Sequence, residues 1–121
     1  LDQDLDLATA SWADHTVAWY ENDGSQEFTK HQITNSALSA SSVNAIDLDQ
    51  DGDIDILADS AENDSITWYE NDAEESFIAH DITTTADRAY DVFPIDLDSD
   101  GDTDVLSGSS YIVMVQHTEW Q

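Results

Sequence analysis

Cysteine is absent from the 121 residues. That excludes disulfides, zinc–thiolate sites and thiol catalysis, and leaves the redox compartment open. Positive charge is almost absent too: Lys30 and Arg88 stand against 28 acidic residues, for a net charge of −26. Such a surface repels nucleic acid and anionic membranes, so neither is an expected partner. It suits high salt, where screening makes self-repulsion tolerable. No apolar run approaches the roughly 20 residues of a membrane-spanning helix. Also missing are a Gly-x-Ser-x-Gly elbow, a His-Glu-x-x-His helix and a phosphate-cradling glycine loop, so no catalytic constellation stands out. There is no secretory signal and no initiator methionine. A chain opening Leu1-Asp2-Gln3-Asp4 reads as an excerpt of something longer or a processed product.

What is present points to a folded chain. Apolar residues make up 40%, with four Trp, four Tyr and three Phe, which is ordinary for one globular domain with a modest core and argues against disorder. The acidity is concentrated. Asp47-Leu-Asp-Gln-Asp-Gly-Asp-Ile-Asp55 returns as Asp96-Leu-Asp-Ser-Asp-Gly-Asp-Thr-Asp104. Two carboxylates about 4 Å apart repel by roughly 4 kcal/mol at an effective dielectric near 20, so a cluster built twice calls for a cation. Hard oxygen ligands at alternate positions, with glycine at the sixth, point to Ca²⁺. Two such ions would lower −26 only to about −22.

The spacing excludes an EF-hand. That loop needs a bidentate Glu at its twelfth position and a helix on each side, but Ala58 and Ser107 stand there and the flanks lack a 3.6-residue period. A compact loop between two strands fits better. Positions one, three, five and nine would supply side-chain oxygens (Asp47, Asp49, Asp51, Asp55; Asp96, Asp98, Asp100, Asp104), and position seven (Asp53, Asp102) its backbone carbonyl. Gly52 and Gly101 would take the positive φ that folds the loop back. The alternative is a solvated acidic turn that holds no ion.

Beneath the loops lies a repeat of 49 residues: Trp19-Tyr20-Glu21-Asn22-Asp23 and Trp68-Tyr69-Glu70-Asn71-Asp72 are that far apart, as are Phe28 and Phe77, His31 and His80, and Val43 and Val92. The same shift places Asp2, Asp4 and Asp6 in the second half of a truncated loop with Gln3 where glycine belongs. Within the complete copy four short strands are expected: A over 42–46, B over 55–59, C over 65–70 and D over 76–83. Asn22-Asp23-Gly24 marks a tight hairpin between C and D. Ile66 and Trp68 fall on one face of strand C and Tyr69 on the other, which implies sheets covered on both sides. Four antiparallel strands in a repeat of about 40–50 residues describe a β-propeller blade. The expected fold is therefore all-β, a partial propeller of about 2.5 blades. Blade 1 covers 1–40 without strand A, blade 2 covers 41–89 and is complete, and blade 3 covers 90–121 without strand D.

The Asp loop together with Trp-Tyr-Glu-Asn on strand C resembles the FG-GAP and VCBS-type repeats of bacterial extracellular proteins, related to the blades of integrin heads. The resemblance covers essentially the whole chain. It implies calcium held by the loop between strands A and B, and a secreted or surface-displayed protein of bacterial origin. The literal Phe-Gly and Gly-Ala-Pro signatures are absent, Phe93-Pro94 being the nearest. In the third repeat His117 and Thr118 replace the Trp-Tyr pair.

Four histidines, His15, His31, His80 and His117, could include a base. His31 and His80, however, are one strand-D position seen twice, which reads as structural, since an active site needs one copy. Trp19 and Trp68 read as core between blades. The residues that break the repeat suit recognition better. Trp12 stands where Ala61 and Ser110 follow, Tyr111 where Ala13 and Glu62 precede, and Arg88 lies in the connection from strand D to the next blade. These would share one rim, opposite the calcium loops, where a glycan or protein ligand could bind; the alternative is ordinary loop variation. The expected function is a calcium-binding extracellular propeller module that binds or scaffolds without catalysis. A lectin or adhesin is the first alternative. A fragment of a propeller enzyme is the second, with Asn44 and Asp91 as its only polar candidates at strand-A ends. Since propellers close with four to eight blades, further blades are expected as partners, from a longer parent chain or from copies joined head to tail, two copies giving about six blades. Open blade faces carrying residues such as Trp19 and Ile66 would drive that association.

Overall fold

The computed structural model describes residues 4–74, 76–110 and 113–116. Among these are ten strands and no helix: β1 (Leu7–Ser11), β2 (Thr16–Asn22), β3 (Phe28–Thr34), β4 (Val43–Ile46), β5 (Asp55–Ser60), β6 (Ser65–Asn71), β7 (Phe77–Thr83), β8 (Ala89–Ile95), β9 (Asp104–Ser109) and β10 (Val113–Gln116). They form three antiparallel sheets in the orders β1-β2-β3, β4-β5-β6-β7 and β8-β9-β10. The fold is a partial β-propeller of successive blades.

The repeat extends to strand register. Ile56 faces Tyr69 as Leu7 faces Tyr20, and Ile46 faces Asp55 as Ile95 faces Asp104. Even the bulge between Ile66 and Thr67 recurs between Val17 and Ala18. Register is fixed because a slip of one residue would turn every buried side chain to the other face.

The second sheet is covered on both sides, and every residue of β5 is buried. Successive side chains of a strand point to opposite faces, and the two faces enter different cores. Leu57, Ile66 and Trp68 pack with Leu48, Ala86, Ala89, Val92 and Val105, on the side of the third sheet. Ile56, Ala58 and Tyr69 pack with Val17, Ala37 and Ala40, on the side of the first. Polar ties cross between blades as well. Asn44 Nδ2 donates to the Val92 carbonyl at 2.6 Å, and Ser42 Oγ donates to Asp91 at 3.1 Å. Within the second blade, buried Asp59 accepts from the Ser41 and Ser42 amides at 2.7 and 2.9 Å.

Two expectations are corrected here. Asn22-Asp23-Gly24 does not close a two-residue hairpin. β2 ends at Asn22 and β3 begins at Phe28, and Asp23 Oδ1 accepts from the amides of Ser25 and Glu27, organising a longer loop. Ile66 is not on an open face but fully buried between the second and third blades. The exposed apolar side chains at the outer faces are instead Leu7 on the first blade and Phe93, Ile95 and Leu97 on the third.

Candidate metal centres

Each Asp loop joins the first and second strands of a blade: residues 47–54 run from β4 to β5, and 96–103 from β8 to β9. Gly52 and Gly101 have φ of 101° and 96°, while Gln50 and Ser99 take φ of 63° and 65°. The two glycines sit in open space, so the backbone angle and not crowding requires glycine there.

These turns gather carboxylates. Asp47, Asp49 and Asp55 offer oxygens that all lie within 4.8 Å of one another, and Asp96, Asp98 and Asp104 do the same. Loop amides aim the side chains. Asp47 accepts from the N–H of Asp51 at 3.0 Å and of Gly52 at 2.9 Å, and Asp96 accepts from Asp100 and Gly101 at 3.2 and 3.0 Å. Asp55 is fully buried, and its two oxygens accept from the amides of Leu48 (3.0 Å) and Asn71 (2.8 Å), tying the loop's start to the β6–β7 hairpin. Asp104 accepts from Leu97 at 2.9 Å in the same way. Such outer hydrogen bonds orient a ligand carboxylate while leaving it free lone pairs.

Asp51 and Asp100 stand outside the triads. Each accepts the amide of the residue two further on, Asp53 or Asp102, at 2.9 and 3.0 Å. Asp51 also influences its neighbours. The Asp49 carboxyl is pushed up to about 6, chiefly by burial and further by the charges of Asp55 and Asp51, while the Asp51 amide pulls the other way. Burial likewise pushes Asp55 up against the opposing pull of the Asn71 and Leu48 amides. No lysine or arginine pairs with the 47–55 carboxylates among the described residues. The donors are all oxygen, clustered and anionic, so the residues present fit a hard divalent cation such as Ca²⁺.

The truncated first loop keeps one function of the complete ones. Asp6 Oδ1 accepts the amide of Asn22 at 2.9 Å, as Asp55 accepts that of Asn71. Asp4 sits by Gly24, where a Cβ on that glycine would come within 2.9 Å of its carboxylate. Asp2 lies outside the described residues, and no acidic triad forms at this loop among those described. The sequence gives no warning of one link: Gln50 Nε2 donates to the Gly101 carbonyl at 2.8 Å, joining the two complete loops.

The histidines occupy structural places. His31 Nε2 meets Glu21 at 2.8 Å and stacks on Trp19 at 4.3 Å, and His80 repeats this with Glu70 and Trp68 at 3.3 and 4.7 Å. Trp68 is buried in the core between blades, whereas Trp19 is only half-buried. The amide of Ser39 donates to His15 Nδ1 at 3.0 Å, which puts the ring proton on Nε2. His117 and Tyr111 lie outside the described residues.

Trp12 and Arg88 come together at the opposite end of the blades, lining one cleft with Ala61, Glu62, Asp64 and Asp87. Glu62 and Asp64 were not singled out from the sequence. They are also departures from the repeat, replacing Ala13 and His15, and that mismatch is the signal that could have found them.

A comparison with curated proteins gives no match. The FG-GAP-like repeat pattern matches residues 1–58 and again 58–107. Two matches that cover most of the chain, each containing an Asp loop or its truncated form, establish that this chain belongs to the FG-GAP-like repeat family.

Proposed function

We propose that this chain is a calcium-stabilised, extracellular propeller module that binds or scaffolds other molecules and has no catalytic activity of its own. The observation that carries this reading is the pair of carboxylate triads, each aimed inward by its own loop amides. Calcium supplies the positive charge that lets these carboxylates sit together while ionised. The chain's own residues do the rest: glycine at the sixth position closes the loop, and Asp55 and Asp104 couple its closure to the sheet.

The mechanism is linkage. An ion that binds the folded loop and not the dispersed carboxylates adds about 1.4 kcal/mol per site at tenfold excess over Kd. Extracellular calcium modules bind in the roughly 10⁻⁴–10⁻³ M range, which suits sites filled outside cells. A binding role is favoured over catalysis by the paired repetition of His31 and His80, and by the use of Asn44 and Asp91 in ties between blades. Partners include further blades, from a parent chain or a second copy, because Phe93, Ile95 and Leu97 leave an apolar face open.

Thermal unfolding in calcium, magnesium and EDTA tests the metal assignment. Calcium should raise the melting temperature clearly and magnesium only weakly, since its tight octahedron suits a flexible loop less well. Coincident curves in calcium and EDTA would falsify it. Light scattering with and without calcium tests assembly, and a well-folded monomer at micromolar concentration would rule out a ring of copies.

A further inference from the structure

The metal loops and the hairpins between third and fourth strands share one end of the blades, as the Asp55–Asn71 bond shows. The opposite end carries the turns between second and third strands and the connections between blades. There the Ala86 amide donates to the Asp64 carbonyl, and the Arg88 amide donates to Asp64 Oδ1 at 2.9 Å. A cleft of about 500 Å³ opens between the β1–β2 turn, the β5–β6 turn and the β7–β8 connection, within the usual range for small-molecule sites.

Its lining departs from the repeat. Trp12 replaces the Ala61 and Ser110 of later repeats, and Arg88 replaces Ser39; Glu62, Asp64 and Asp87 stand where Ala13, His15 and Leu38 stood. Asp64 keeps the structural part of His15, each accepting the amide that leads into the next blade, but the five side chains together give this cleft a chemistry that its counterpart positions in the other repeats lack. Trp12 is 56% exposed, presenting an indole face to solvent. The Arg88 guanidinium forms no hydrogen bond or ion pair with any described residue, and it is the only arginine of the chain. Glu62 is held by Ser39 Oγ at 2.7 Å through one oxygen, and Asp64 by the Arg88 amide through one oxygen, which leaves each a second acceptor.

We propose that this cleft is a binding site for a neutral pyranose sugar of a glycan. The sugar's C–H face would stack on Trp12, and its hydroxyls would donate to Glu62, Asp64 and Asp87 and accept from Arg88. The charge pattern selects this chemistry. An anionic ligand would meet three carboxylates in a chain of net charge −26, and a cationic one, which can only donate, would leave the Arg88 donors without an acceptor. Hydroxyls both donate and accept, so a neutral polyol satisfies the fixed donors and acceptors together. The site rests on the blade arrangement and not on the metal loops.

The test is titration of the intact chain in calcium with methyl glycosides of neutral hexoses and N-acetylhexosamines, read by amide and indole NMR shifts. At least one glycoside should move the Trp12 indole together with the amides of Glu62, Asp64 and Arg88. Trp12→Ala should weaken that binding about tenfold, the scale of an aromatic contact, while leaving the melting temperature unchanged. Arg88→Gln should weaken it without altering the backbone there. The glucuronide should bind less tightly than the glucoside. Absence of shifts at these residues with every glycoside, undiminished binding by Trp12→Ala, a preference for the glucuronide, or salt-sensitive binding of an oligolysine peptide in place of sugar would each overturn the proposal. A calcium effect on melting, measured separately, tells failure here apart from failure of the metal reading.

Discussion

Leu48 and Leu97 occupy the same place, the second residue of an Asp loop, and the register around them is the same. Leu48 is fully buried, and Leu97 is 51% exposed. The difference follows what stands beside each blade among the described residues. Leu48 packs among Ala86, Ala89, Val92 and Val105, from the third blade and its lead-in, and no described residues form such a cluster around Leu97. The acidic triads differ in the same sense: Asp47 and Asp49 are partly covered, while Asp96 and Asp98 are exposed. A blade is thus half of two cores. Its sequence specifies strands, register and loop, and its neighbour supplies burial.

The sharpest way to break this comparison is to truncate both leucines. Leu48→Ala should destabilise by about 2–5 kcal/mol, as for a fully buried leucine, and Leu97→Ala by well under about 1 kcal/mol. Urea unfolding of the isolated chain measures both. Equal losses would mean that Leu97 is covered in solution, and a concentration dependence of the Leu97→Ala effect would identify the cover as a second copy.

Removing a ligand from each loop comes next. Asp49→Asn and Asp98→Asn should each abolish most of one site's calcium stabilisation, about 1.4 kcal/mol at tenfold excess over Kd. In EDTA Asp49→Asn should be neutral or stabilising, since it relieves repulsion by Asp51 and Asp55. Calcium-induced shifts in melting temperature for the two variants and the double variant show whether the covered and open loops contribute alike.

What the sequence made legible follows from this division. The 49-residue period located four strands and the loop of the complete blade within a residue or two, because register and turn chemistry are local and were written twice. The carboxylates at positions one, three and nine were legible for the same reason. Burial was not. Trp19 and Trp68 open the same Trp-Tyr-Glu-Asn-Asp run, yet one is half-buried and the other buried, and Ile66 was expected on an open blade face only while its neighbouring blade was unplaced. The hairpin after Asn22 misled because Asp23 reaches forward to two amides, a side-chain choice that the Asn-Asp-Gly pattern does not distinguish from a two-residue turn.

Protons should sharpen the comparison in a direction opposite to calcium. Asp49 rises from 3.8 to about 6 on folding without metal, so the folded state holds its proton more tightly. That contribution to stability is complete below the unfolded value and is lost as pH rises through about 6. In EDTA the chain should therefore gain stability on acidification from about pH 7 to about pH 5. Calcium needs the same carboxylate ionised, so its added stabilisation should shrink over that interval. Melting curves in EDTA and in calcium across the range should converge toward acid, and parallel curves would remove Asp49 from the ligand set.

The smallest effect concerns the link between the loops. Gln50 Nε2 reaches the Gly101 carbonyl at 2.8 Å, whereas the matching residue of the next loop, Ser99, is too short to make such a bridge to a following blade. The bond is exposed, so Gln50→Ala should cost about 0.5–1 kcal/mol at most in global stability. Its informative consequence is on metal binding. With the bridge intact, ordering of either loop fixes an atom that holds the other, and the two calcium affinities should be coupled with the same factor in both directions. Without it the loops should titrate independently. Calorimetric titration of the native chain and of Gln50→Ala, each compared with Asp98→Asn, measures that factor directly. A first-loop affinity that is indifferent to Asp98→Asn in the native chain would show that the bridge is only a surface contact and that adjacent blades share a core without sharing their ions.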